Sequence, residues 1–179
     1  ALGRIAQLDP ATKEIREFQA PPLADGKKAG AHTIRVDENG RVWTSGGPVI
    51  SMFDPKTNNF KHYDVPATYA NTVGRNGDQW FTSFRADGVI ARISRDGVLT
   101  KFQPPTAGKP QRLDLDADGN VWFSERQGNK IGKLDPSTGV FKEYPLPGPE
   151  ASPYAVGVAK DRMVWYSSHE QDTMNRLNP

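Results

Sequence analysis

Apolar residues along this chain alternate with polar or small ones for four to six positions and then stop at a glycine, a proline or an Asn-Gly or Asp-Gly pair. Ile50-Ser51-Met52-Phe53 and Ile131-Gly132-Lys133-Leu134 are typical. A period of two is the pattern of a strand with one face buried, and no segment carries the i, i+3, i+4 spacing of an amphipathic helix. The pattern therefore predicts an all-β chain of short strands joined by tight turns. Strand a is expected over Thr33–Asp37, and strand b carries Trp43. Strand c covers Ile50–Phe53. In a later copy, strand d covers Phe141–Tyr144, with Lys142 and Glu143 facing solvent.

These elements recur. The four tryptophans, Trp43, Trp80, Trp122 and Trp165, stand 37, 42 and 43 residues apart. A second motif reads Ile5-Ala6-Gln7-Leu8-Asp9-Pro10, Ile50-Ser51-Met52-Phe53-Asp54-Pro55, Ile90-Ala91-Arg92-Ile93, Ile131-Gly132-Lys133-Leu134-Asp135-Pro136 and Met174-Asn175-Arg176-Leu177-Asn178-Pro179. A third places an aromatic residue just before a proline, as at Phe102 to Pro104 and Tyr144-Pro145. Three motifs in fixed order, each copy giving four short antiparallel strands, predict the four-stranded antiparallel blades of a β-propeller. The blade repeats fall at 1–21 (partial), 22–66, 67–105, 106–147 and 148–179 (partial). About four blades are present, and the register, opening on strand c at Ala1 and closing after another strand c, reads as part of a larger propeller.

Composition fits that reading. Gly 17 and Pro 15 supply the turns. Cys 0 rules out a disulfide scaffold, a thiolate zinc site and a cysteine nucleophile. No apolar stretch approaches the ~18 residues of a spanning helix, so no membrane span is expected. Net charge is +2 and no Lys/Arg run exceeds two, so nucleic acid is not an expected partner. Lys27-Lys28 and Arg112 read as isolated solubility charges, and His62, between Lys61 and Tyr63 on an outer strand, as surface.

In a meander a-b-c-d the irregular b–c and d–a connections share one face, where binding groups are more often found. Eleven residues before each tryptophan stand His32, Tyr69, Gln111 and Tyr154, expected just before strand a. Three residues after it stand Gly46, Ser83, Glu125 and Ser168, followed by Gly47, Phe84, Arg126 and His169. These two rings are expected to line one mouth of the propeller channel and to receive a small-molecule, peptide or protein ligand. His32 is a candidate general base. Tyr154 and Tyr69 could hydrogen-bond a substrate oxygen, with Gln111, Arg126 and His169 as further binding groups. Glu125 and Glu170 are the candidate ligands of a hard cation. The run Asp114-Leu115-Asp116-Ala117-Asp118-Gly119, followed five residues later by Glu125, fits a calcium-loop pattern. Its flanks are strands rather than helices, and the Asp-Gly is already the a–b hairpin turn, so it is read as blade.

The segments Asp118-Gly119-Asn120-Val121-Trp122-Phe123-Ser124-Glu125, Gly128-Asn129-Lys130-Ile131-Gly132-Lys133-Leu134, Phe141-Lys142-Glu143-Tyr144-Pro145-Leu146-Pro147 and Ser152-Pro153-Tyr154-Ala155-Val156 resemble the repeat of the streptogramin (virginiamycin B) lyase family. The resemblance covers essentially the whole chain. It implies a seven-bladed propeller, C–O lyase activity that opens the lactone ester of a cyclic peptide by elimination, a histidine base, Mg²⁺ held by acidic residues, and frequent export to the periplasm or the medium of bacteria. The family's base follows a proline and has a glutamate two residues before it. Here His32 follows Ala31, with Gly30 two residues back. The family's second metal-holding glutamate ends a strand b. Glu125 matches that place in another blade, and the blade of His32 has Gly46. Two other readings stand beside the lyase: a non-catalytic propeller that binds a ligand at the same mouth, and a lactonase-type metal-dependent hydrolase.

Overall fold

The structure is a computed structural model that describes residues 3–148 and 150–179; Ala1, Leu2 and Pro149 lie outside the described residues. Every regular element among the described residues is a strand. The chain forms two compact units, Ala1–Thr68 and Tyr69–Pro179.

The first unit holds β1 (Arg4–Leu8) and β2 (Ile15–Gln19) as an antiparallel pair, followed by a four-stranded antiparallel meander. Its strands are β3 (Thr33–Val36), β4 (Val42–Ser45), β5 (Ile50–Asp54) and β6 (Asn59–Tyr63). Phe53 is the centre of its core, with Phe18 and Phe60 each at 4.6 Å between ring centroids. Strand a stops one residue earlier than its pattern suggests, because Asp37 is already the first turn residue.

The second unit holds two four-stranded meanders and a three-stranded one. The first runs β7 (Thr68–Val73), β8 (Gln79–Ser83), β9 (Ile90–Ile93) and β10 (Leu99–Phe102). The second runs β11 (Pro110–Leu115), β12 (Val121–Glu125), β13 (Lys130–Asp135) and β14 (Val140–Pro145). The third is β15 (Pro153–Val158), β16 (Val164–Ser168) and β17 (Thr173–Leu177). Trp80, Ile90, Leu113, Phe123 and Leu134 fill the space between the first two sheets. Trp122, Ile131, Leu146, Val164 and Tyr166 fill the next. Alternate residues of β12 thus face different neighbours, Phe123 one way and Trp122 the other, and all five of its residues are buried. β8 is buried throughout in the same way.

The repeat motifs have a common packing logic. In the three four-stranded sheets the tryptophan stacks on an aromatic at the end of strand d: Trp43 on Tyr63, Trp80 on Phe102 and Trp122 on Tyr144, at 5.9, 5.9 and 5.5 Å. A cation lies over the indole in each sheet, Arg41, Arg92, Lys133 and Arg176. Trp43, Trp80 and Trp122 are 1%, 3% and 2% exposed, whereas Trp165, in the three-stranded sheet, is 41% exposed.

The a–b turns lock onto the same indoles. Asp37 accepts hydrogen bonds from the Trp43 indole at 2.9 Å, from Arg41 Nε at 2.7 Å and from two backbone amides of the turn. Asp116 accepts from the Trp122 indole at 2.9 Å, from Asn120 Nδ2 and from the amides of Asp118 and Asn120. Burial pushes both carboxyls upward, but these donors outweigh it and hold both below the usual range. The calcium-loop pattern is thereby accounted for, with Asp116 occupied by its own turn.

Among the side chains expected at the surface, Glu143 is not solvent-facing. Its side chain is 12% exposed, and its carboxylate bonds Lys130 Nζ at 2.6 Å. His62 is half-buried, with Nδ1 2.9 Å from Ser51 Oγ, because the sheet pairs it directly opposite Ser51.

Asp116→Ala should cost about 2–3 kcal/mol in urea denaturation, because a buried indole N–H and two turn amides lose their acceptor. Asp161→Ala, at an exposed a–b turn where only Met163 N is bonded, should stay within about 0.5 kcal/mol.

Candidate functional site

Burial on both faces obliges strand b to satisfy its polar atoms inside the protein. The hydroxyl two residues after each tryptophan does so. Thr82 Oγ1 accepts from Ala70 N at 3.1 Å and donates to Gln111 O at 2.7 Å. Ser124 Oγ accepts from Arg112 N at 3.1 Å and donates to Tyr154 O at 2.7 Å. These two hydroxyls therefore tie strand a of their own sheet to the first residues of strand a in the next sheet. The bond forms where the a–b register slips, between Pro110 and Leu113 in β11. This relay fixes Gln111 and Tyr154, two of the residues singled out by counting back from tryptophan.

Tyr69, Gln111 and Tyr154 lie within the first two residues of β7, β11 and β15 rather than before them; only His32 precedes its strand. Strand pairing reaches past Gln111 and Tyr154, with Pro110 opposite Glu125 and Pro153 opposite Ser168. Tyr69 and Tyr154 meet in one hydrogen-bonded cluster with Arg112, while the Gln111 amide favours the ionised form of the Tyr69 phenol. The Tyr69 and Tyr154 hydroxyls are 2.9 Å apart. Arg112 Nη2 donates to the Tyr154 oxygen at 3.2 Å. Arg112, read from sequence as an isolated surface charge, instead lies between the two phenol rings, 5.0 Å from Tyr69 and 5.3 Å from Tyr154. The Tyr69 and Arg112 donors hold the Tyr154 phenol below the usual tyrosine range, while burial and its bond to Tyr154 push Tyr69 up.

The residues after strand b pack against this chain. Phe84 lies 5.3 Å from the Tyr69 ring, and His169 lies 6.0 Å from the Tyr154 ring. Arg126 donates to Ser152 Oγ at 3.3 Å and pairs with Glu170 at 3.5 Å. Glu170 also meets His169 Nδ1 at 3.3 Å.

Glu125 differs from all of these. It is 0% exposed, and neither carboxyl oxygen has a hydrogen-bond partner among the described residues. Gly108 closes over it so tightly that a Cβ there would come within 2.7 Å of Glu125 Cβ. Burial first, and then the charge of Glu143, push its carboxyl up to about 7, against a smaller opposing pull from Lys130. Glu125 and Glu170 share no partner, and no group of three His, Asp or Glu side chains that could hold a metal ion occurs among the described residues.

In the first unit His32 is exposed, with its amide bonded to Ser45 O at 2.6 Å. The backbone crosses so closely that a Cβ on Gly46, at φ +103°, would lie 2.0 Å from His32 Cβ. Glycine at position 46 is thus required by the path of the chain, and a glutamate cannot stand beside His32 from there. Sequence reasoning passed over two groups of this region. Arg112 carried no spacing signal, and the hydroxyls of Thr82 and Ser124 were visible only as a Thr/Ser at a fixed distance from tryptophan.

Because the folded Glu125 pKa is raised from 4.5 to about 7, its contribution to stability is fully present below about pH 4.5 and lost as pH rises through about 7. The loss is on the order of 3 kcal/mol. Glu125→Gln should flatten the pH dependence of the urea midpoint in that window. Asp37 and Asp116, held low, act only in more acid solution.

The chain matches the virginiamycin B lyase family over residues 58–179. A virginiamycin B lyase of Nocardia farcinica (strain IFM 10152) is 39% identical over 131 residues, covering 70% of this chain and 45% of the relative. The solved virginiamycin B lyase from Staphylococcus aureus superposes with a TM-score of 0.79 at 24% identity, over 99% of this chain and 64% of that one. A streptogramin B lyase structure gives 0.78 at 28% identity, over 99% and 62%. The chain therefore spans less than two thirds of the length of each of these relatives. Blades of four antiparallel strands, tryptophan-centred packing and a family match over more than half the chain lead to one conclusion: this chain belongs to the virginiamycin B lyase family.

Proposed function

We propose that this chain contributes to a C–O lyase that opens the lactone ester of a cyclic peptide by elimination, with Tyr154 as the base. The observation that carries this reading is the Tyr154 oxygen held by both Tyr69, at 2.9 Å, and Arg112, at 3.2 Å. Two donors stabilise the phenolate, which disposes Tyr154 to take a proton. In the step proposed, the phenolate removes the proton on the carbon α to a carbonyl. The Cα–H electron pair forms the Cα=Cβ bond, the Cβ–O bond breaks, and its electron pair leaves with the carboxylate. Arg112 is placed to receive that developing charge. The neutral Tyr154 then returns its proton to water.

Magnesium is implied by the family, but the residues present do not fit it. Glu125 is sealed beneath Gly108, and Glu170 is engaged by Arg126 and His169. No step is assigned to the ion, and His32 has no role in the step either.

A second reading, a propeller that binds without turnover, is favoured by Gly46, which bars a carboxylate from the side of His32. Incubation with a streptogramin B-type lactone separates the readings. Elimination gives a ring-opened product of unchanged mass with a new conjugated alkene, and Tyr154→Phe should slow it by about 10²–10⁴-fold. A product heavier by one water would instead indicate a lactonase-type hydrolase. Binding with no product would favour the non-catalytic propeller.

A further inference from the structure

We infer that the same mouth of the second unit is a binding site for aromatic carboxylates. Cations and rings form a continuous series there. Lys109 Nζ lies 5.7 Å over Phe84, and Phe84 is 5.3 Å from Tyr69. Tyr69 and Tyr154 hold Arg112 between them at 5.0 and 5.3 Å, and His169 follows at 6.0 Å from Tyr154.

Two features of this ladder point to an anion. Neither Lys109 nor Arg112 has a carboxylate at ion-pair distance among the described residues, although other basic groups of the unit do, such as Arg126 with Glu170, Lys130 with Glu143 and Arg85 with Asp87. Among the described residues the side-chain hydrogen bond of Arg112 goes to Tyr154 through Nη2. The rest of the guanidinium fork keeps its donors, and a planar carboxylate matches that fork with two parallel N–H···O bonds. The two phenol rings fix the guanidinium in place, so little side-chain entropy remains to be lost on binding.

The rings select what carries the carboxylate. Phe84 and Tyr69 are half-buried, leaving apolar ring surface beside the charged groups. A ligand ring can pack there in the offset or tilted geometry that Phe84 and Tyr69 already adopt at 42°. The face of the ligand ring is also attracted to the Lys109 and Arg112 cations. An aliphatic carboxylate gains the ion pair alone, and an aromatic alcohol gains the stacking alone. The inference shares Arg112 and Tyr154 with the proposed lyase but does not require turnover, so equilibrium binding tests it whether or not a lactone is opened.

The probe is 3-phenylpropionate, titrated into the protein and followed by calorimetry and by tyrosine and tryptophan fluorescence. It should bind saturably and compete with 3-phenylpropanol and 3-cyclohexylpropionate at about tenfold advantage or more over each. Lys109→Gln, at a half-exposed site, and Phe84→Leu should each weaken it several-fold with an unchanged thermal melt. Arg112→Gln should abolish it, and Arg112→Lys should restore it only in part, since the charge returns without the fork. The absence of saturable binding to the wild-type protein would overturn the inference. So would equal affinity for inorganic phosphate and 3-phenylpropionate, which would mean a bare charge effect, or equal affinity for the cyclohexyl analogue, which would remove the aromatic part. Lactone opening with no carboxylate binding would leave the lyase standing and this inference rejected.

Discussion

Strand b of each central sheet in the second unit has no solvent on either side, and much of the rest follows from that. A strand buried on both faces cannot hand its polar atoms to water, so each must find a partner inside or pay its desolvation. Thr82 and Ser124 find theirs in the first residues of two neighbouring a strands, and in doing so set the backbone positions of Gln111 and Tyr154. Glu125, at the end of the same kind of strand, finds none, and burial pushes its carboxyl up to about 7. One constraint thus yields both the order of the Tyr69–Arg112–Tyr154 cluster and the strain of a buried carboxyl a few residues away.

The indole stack is the other half of this arrangement. Trp43 and Trp122 each carry a turn, a strand-d aromatic and a cation, and Asp37 and Asp116 convert the indole N–H into the anchor of the a–b hairpin. In the third sheet Ala159 stands where those aspartates would be, and Trp165 remains largely open. The tight-turn end of each blade is therefore devoted to structure, and the opposite end, with its longer connections, is free to vary in chemistry.

The fold was legible because a period-two pattern and a repeat near forty residues reinforce each other, and positions counted from tryptophan keep their meaning from blade to blade. Counting back eleven residues found Tyr69, Gln111 and Tyr154, since a shared register brings equivalent positions to one end of every sheet. Arg112 was not legible. The slip between Pro110 and Leu113 frees it from strict alternation, so its neighbours follow from a bulge that no local pattern marks. Glu143 was misplaced for a related reason. Alternation assigns a residue to a face, but it does not reveal that Thr106, from the d–a connection, and Lys130 both reach that face and bond its carboxylate. His32 shows the reverse case, in which a residue matching a family position is set by the crossing at Gly46, and Gly30 and Gly46 stand where the family's glutamates are expected.

The central chemical claim is that Tyr154 is an activated phenol, made so by Tyr69 and Arg112. Spectrophotometric titration of the tyrosinate band measures this directly, because the chain has five tyrosines. One should ionise below the ordinary tyrosine range and be lost in Tyr154→Phe, while Tyr69 and Tyr166 ionise above it. In Arg112→Gln the early ionisation should move back up. A titration in which no tyrosine ionises early, or in which the early one survives Tyr154→Phe, would contradict the account.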